Sequence, residues 1–273
     1  MAFPICAYDV DELREKFRTA KPFPFVAIDN FLDEDFARQV AAAYPSYDHA
    51  LEMGREFASV NEKLKIQISD PERFNPPVAK LNEALASPEF LGDLAEITGI
   101  PKLLADAQLR GAGMHLTNAS GRLDVHVDFN YFEEENLHRR LNILVYLNPH
   151  WDDAWGGRIE LWDKDVRRCH HSFAPAMNRC VIFETSEVSF HGVTPLTCPN
   201  DQMRRSFAAY YYTHEAPSHW NGQAHSTVFK ARPSEVLRGN LLMPAEKARR
   251  TLLSGARSIK RKLRDSMRPP GSD

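Results

Sequence analysis

The chain is poor in cysteine. Its four thiols, Cys6, Cys169, Cys180 and Cys198, show no CxxC pair and no zinc-like spacing. That argues against a disulfide-stapled scaffold and reads as the reduced thiols of a cytoplasmic protein. Long apolar runs are also missing, so no segment is expected to span a bilayer. The opening MAFPICAYDVDELREKF lacks a basic region before an apolar one, and no signal peptide is expected. A net charge of −3 gives no strong field toward polyanions or membranes. There is no internal repeat. What is present is a 273-residue chain, 43% hydrophobic and 26% charged, large enough for a sizeable core in one domain with decorations.

Local texture divides the chain. DVDELREKFRTA suits a short helix with Asp9 or Asp11 near its cap, and PFPFVAIDNFL at 22–32 suits a strand. DEDFARQVAAAYP, with acids at its start and a closing proline, predicts a helix. Residues 71–106 predict helices with breaks. From Ala107, short apolar or alternating runs are separated by turn signals such as NASG and DDAWGG, which predicts a β sandwich or jelly roll. Residues 214–245 read as irregular. The tail from 246 carries nine Lys/Arg against three acids. It reads as a solvated helix, or as a basic arm for nucleic acid, a ribosome or another acidic partner.

One stretch, DVHVDFN, has chemistry in its spacing. Side chains two apart on a strand share a face, so Asp124, His126 and Asp128 are expected together, with Val125, Val127 and Phe129 opposite. His-x-Asp is common by chance and alone marks only a polar strand face. A second imidazole from a neighbouring strand would complete a two-His, one-carboxylate set, which leaves coordination positions open for a co-substrate and dioxygen. His191, in SFHGV, is a candidate. An arginine beyond it, in RRSFAAYYYT, can grip a carboxylate with two parallel bonds.

The ordered set HVDF (126–129), RRLNILVYLNPHWDDAWGG (139–157), RIELW (158–162), NRCVIFETSEVSFHGV (178–193) and RRSFAAYYYT (204–213) resembles the 2-oxoglutarate/Fe(II)-dependent dioxygenases, in the prolyl 4-hydroxylase-like branch. The resemblance covers roughly residues 22–213. It implies a mainly β fold with flanking helices around a double-stranded β-helix (jelly roll). The implied layout is N-terminal helices and a strand at 1–106, a catalytic core at 107–213, an irregular extension at 214–245 and a basic tail at 246–273.

The same resemblance implies Fe(II) on His126, Asp128 and His191, with 2-oxoglutarate and O2 as co-substrates and ascorbate as a candidate reductant. Arg204 and Tyr146 would hold the far carboxylate of 2-oxoglutarate, assisted by Ser206, with His115 nearby and Ile159 as an apolar wall. The carboxylate at 128 argues for hydroxylation over halogenation. Two features depart from many relatives: a long PLTCPNDQM connection, and an Arg204-Arg205 doublet that leaves the anchor open by one register. Small-molecule and peptidyl substrates, prolyl or amino-acid-like, both fit, with Arg122, Asn130, Tyr131, Phe132, Trp155, Trp162, His214, His219 and His225 as candidate lining. The alternative is a non-catalytic jelly-roll binding module using the tail.

Overall fold

The fold is taken from a computed structural model, in which residues 3–246 and 248 are described. The basic tail therefore lies outside the described residues, apart from Glu246 and Ala248. Helix α1 (Val10–Thr19) begins where the Asp9 carboxylate accepts the Glu12 N–H. Strand β1 (Phe25–Ile28) and helix α2 (Glu34–Ala42), capped by Asp33, follow as expected. No element was read between 46 and 70, yet helix α3 (Tyr47–Met53) and a hairpin of β2 (Arg55–Ala58) and β3 (Glu62–Ile68) form there. Helices α4 (Pro76–Leu85) and α5 (Pro88–Thr98) each start on proline, and α5 ends at Gly99 in the left-handed region.

Ten further strands follow. They are β4 (Leu104–Ala105), β5 (Gly113–Val127), β6 (Tyr131–Phe132), β7 (Leu137–Tyr146), β8 (Ile159–Trp162), β9 (Cys169–Phe173), β10 (Cys180–Glu184), β11 (His191–Val193), β12 (Met203–Thr213) and β13 (Val228–Lys230). Four of these correct the sequence reading. β4 lies in the stretch read as helical, β6 and β9 were not foreseen, and β13 lies in the stretch read as irregular. The expected turn NASG is also not a strand end. Ser120 does take a positive φ of 63° there, but the chain bends and continues as one strand, β5.

That bend builds the roll. The first half of β5 lies between β12 and β3, and its second half between β11 and β13. β1, β10, β7, β12 and the first half of β5 form one antiparallel face, while β11, β8 and β9 continue from the second half. The result is a curled, mostly β jelly roll with flanking helices.

Alternation along β7 and β12 sorts core from cavity. Leu141, Ile143, Val145, Phe207, Ala209 and Tyr211 pack outward with Leu13, Phe17, Val40, Leu81, Phe90 and Ile97 of the helices. Fully burying each large apolar side chain is worth roughly 1.5–3 kcal/mol. Asn142, Leu144, Arg204, Ser206 and Tyr210 line the interior of the roll instead.

Candidate active site

The interior is a cavity of about 910 Å³. His126 near the end of β5 and His191 at the start of β11 are direct ladder partners, with ring centroids 4.3 Å apart. Asp128 stands two residues beyond His126. Its carboxylate oxygens lie 3.6 Å from His126 Nε2 and 3.5 Å from His191 Nε2. One ligand atom from each of the three residues falls within 4.8 Å of the others, so the trio can hold a metal ion.

Protonation favours this. Each histidine places Nδ1 2.9 Å from a backbone carbonyl, His126 on Asp124 and His191 on Ser189. A carbonyl only accepts, so Nδ1 carries a proton and Nε2 is the ring nitrogen left to ligate a metal. Burial, then the nearby His126 ring, push the His191 pKa down to about 3, which keeps it neutral. Burial of Asp128 works to raise its pKa. The Arg139 guanidinium at 3.3 Å and the two imidazoles outweigh it and hold the carboxyl well below its ordinary range. Asn142 Nδ2 donates to Asp128 Oδ2 at 2.8 Å. Neutral imidazoles and an ionised carboxylate are what a divalent metal needs.

A second feature occupies the neighbouring strands. The guanidinium of Arg204 is buried, donates from Nε to the Gly157 carbonyl at 2.8 Å and lies 3.4 Å from Ser206 Oγ. No carboxylate among the described residues pairs with it. The Tyr146 ring lies beneath it at 4.9 Å, and the Tyr146 hydroxyl is buried with no hydrogen-bond partner among the described residues. An unpaired buried cation beside an orphaned phenol suits a ligand carboxylate. Gly157 makes room: its φ is +66°, and a Cβ there would meet Arg204 Cδ at 3.2 Å. Ile159, Leu144 and Phe183 supply apolar wall.

The two arginines of the doublet point to different sides of β12. Arg205 belongs to the helix-facing side of β12, while Arg204 lines the cavity. His115 also lines the cavity, with Nε2 3.0 Å from the Gly111 carbonyl, and burial holds its pKa well below the usual value. The PLTCPNDQM connection packs on the bend of β5, where the Leu196 N–H donates to the Gly121 carbonyl and the Ser120 N–H to the Leu196 carbonyl.

Asp124 departs from expectation. Strict alternation put it beside His126 and Asp128, but the β5–β11 register slips between His191 and Val193. Leu123 takes the cavity-facing place and the Asp124 carboxylate is buried among arginines. Of the candidate lining residues, Arg122 borders the main cavity. Tyr131, Phe132 and His225 border a second cavity of about 510 Å³, which shares Gly111 and Phe129 with the first. Asn130 joins Glu187 to the Gln223 carbonyl. Trp155, Trp162, His214 and His219 border neither.

Sequence reading missed Arg139, Asn142, Phe229 and the cavity-facing side of β3. The signal in β3 was available: in EKLKIQI, Lys65 and Gln67 line the cavity while Ile66 and Ile68 are buried in the core. Asn142 had the same signal, alternating along β7 with the core residues Leu141 and Ile143, whereas Arg139 and Phe229 carry no such pattern.

A jelly roll with a two-His, one-carboxylate cluster in one cavity with a buried guanidinium fits the non-haem oxygenase class of site. Residues 112–213 match the family model for the 2OG-Fe(II) oxygenase superfamily. Within that superfamily the likeness is to prolyl hydroxylases. The mouse protein named prolyl 3-hydroxylase OGFOD1 is 28% identical over 198 residues, covering 70% of this chain and 33% of its own. The Ostreococcus tauri protein named prolyl 3,4-dihydroxylase OGFOD1 is 25% identical over 225 residues, covering 76% and 41%. The chain thus spans a third to two fifths of these relatives. A Trichoplax adhaerens prolyl hydroxylase, solved with a hypoxia inducible factor peptide, shares the fold with a TM-score of 0.55 at 17% identity, covering 74% of this chain and 88% of that one. Among the described residues, no helix is long and apolar enough to cross a membrane.

Proposed function

We propose that the protein is an Fe(II)- and 2-oxoglutarate-dependent hydroxylase acting on a prolyl residue presented within a peptide. One observation carries this reading: three ligand atoms within 4.8 Å of one another, set in the same cavity as a buried guanidinium that has no acid partner among the described residues. His126, Asp128 and His191 are assigned as metal ligands. Arg204 and the Tyr146 hydroxyl are assigned to the far carboxylate of 2-oxoglutarate, with Ser206 assisting and His115 bordering the same space. The names of the curated relatives, and a second cavity that shares Gly111 and Phe129 with the first, favour a peptidyl prolyl substrate over a free amino acid. On this reading residues 107–213 are the catalytic core, 1–106 its buttress and 214–245 part of its wall.

When bound, the iron and 2-oxoglutarate supply oxygen insertion into a C–H bond, with succinate and carbon dioxide as co-products. The chain's own work is orientation and exclusion. Backbone carbonyls fix both imidazole tautomers, and Arg139 and Asn142 keep Asp128 ionised and aimed. Leu144, Ile159 and Phe183 keep water from the carboxylate subsite. A non-catalytic module is disfavoured because every ligand position and the arginine are intact.

The test is Fe(II)-dependent succinate release with prolyl peptides, and with free proline, for the wild type and Asp128→Ala. The expected outcome is turnover and a peptide gaining one oxygen atom in the wild type, and loss of both in the variant. Equal turnover by the variant would overturn the assignment.

A further inference from the structure

Beside His126 lies a buried, self-neutralising charge cluster of three guanidiniums, Arg122, Arg232 and Arg238, and three carboxylates, Asp124, Glu160 and Glu235. Three of the six come from the segment after β13, far along the chain. Asp124 is the joint, and it is completely buried. Its N–H donates to the Asn61 carbonyl at 2.8 Å, and its own carbonyl accepts the His126 Nδ1–H at 2.9 Å. Its carboxylate takes Arg122 on one oxygen and Arg238 on the other, the latter at 2.6 Å. The same Arg238 nitrogen also donates to the Val60 carbonyl at 2.6 Å, so the β2–β3 turn is held too.

Arg232 braces the second histidine's strand. It donates to the Val193 carbonyl at 3.0 Å and to Glu160 Oε2 at 2.7 Å. It packs against Gly192, the residue after His191, where a Cβ would lie 3.2 Å from its Nη2 and 3.0 Å from the Val125 Cα. Between these anchors β13 pairs with β5, and Phe229 sits opposite His126 with its ring 5.4 Å away.

We propose that Arg232 and Arg238 are positioning residues for the metal site: they hold the C-terminal segment against β5 and β11, and through Asp124 and Gly192 they fix the two imidazoles in register. This rests on the assignment of His126, Asp128 and His191 as metal ligands. Partners of this outer kind typically change metal affinity 10–100-fold when removed.

The test titrates the full chain with Mn(II) alone and follows free Mn(II) by electron paramagnetic resonance. The variants are Arg238→Ala, Arg232→Ala, Arg238→Lys, and Ile97→Val as a core control remote from the site. Asp128→Ala is the ligand control. The expected result is a Kd raised at least tenfold in both alanine variants and partly restored in Arg238→Lys. Ile97→Val should lower the melting temperature and leave the Kd unchanged. Should Arg238→Ala not fold, Arg238→Gln, which keeps a donor without the charge, is read in its place. Alanine variants that bind Mn(II) within twofold of wild type overturn the proposal. Failure of the ligand assignment looks different: wild type and Asp128→Ala would then bind Mn(II) alike.

Discussion

Replacing Arg204 with methionine should separate binding from stability, with opposite signs. The guanidinium is 4% exposed and has no acid partner among the described residues, and burial lowers its pKa from the ordinary arginine value. A buried cation costs several kcal/mol of desolvation, which the bond to Gly157, the longer one to Ser206 and the Tyr146 ring offset in part. Methionine fills similar volume without charge. It strands the Gly157 carbonyl, at about 1–3 kcal/mol, but removes the larger penalty. The ligand-free variant should therefore be more stable by about 1–3 kcal/mol, a rise in Tm of roughly 2–4 °C per kcal/mol for a chain near this size. Binding moves the other way. Losing two charge-assisted hydrogen bonds to a carboxylate, at about 1.5–3 kcal/mol each, weakens 2-oxoglutarate by roughly 10²–10⁴. The assay is thermal unfolding with and without 2-oxoglutarate in the presence of Mn(II), backed by calorimetric titration. Wild type should gain Tm with ligand and Arg204→Met should not. A variant that unfolds several degrees earlier yet keeps the ligand-induced shift would refute the reasoning, because Arg204 would then be structural.

Gly157→Ala tests the cradle: the left-handed backbone costs a β-carbon roughly 1–2 kcal/mol, and the methyl presses on Arg204 Cδ and Trp151. The expected readout is a raised KM for 2-oxoglutarate with a smaller change for peptide. Glu184→Gln tests electrostatics away from the site. Burial raises the Glu184 pKa above its ordinary value, so its favourable contribution exists below about pH 4.5 and is lost as pH rises through the folded value. The variant should unfold later than wild type at neutral pH, and the gain should vanish in acid. A pH-independent difference between the two melting curves would contradict this.

How far the sequence carries depends on which interaction fixes each feature. The two-residue period of β12 is a local steric fact: it split Arg204 and Ser206 from Arg205 and Phe207 in the sequence, but it left open which set faces inward, and Tyr146 came only from the resemblance. His126-x-Asp128 was legible for the same reason. His191 could be paired with them only by resemblance, because its ladder contact with His126 joins residues 65 apart in the chain (191 − 126). NASG was misread because positive φ at Ser120 serves a bend as readily as a chain reversal. Only the neighbours of β5 decide which, and they come from four other strands.

Asp124 shows the limit most clearly. Period-two logic assumes an unbroken ladder, and a single register slip between β5 and β11 turns one carboxylate out of the cavity while His126 and Asp128 remain inside. That slip is not written in DVHVDFN itself. A carboxylate with no exposed surface needs several donors, and those on offer include Arg238, 114 residues away in the chain (238 − 124). Buried charge is placed by its partners, so its position is a property of the assembled fold. An Asp124→Asn chain would keep the same local β pattern and lose the reason for the bulge. Strand alternation therefore locates the metal ligands, while long-range ion pairing decides which neighbouring acid is kept away from them.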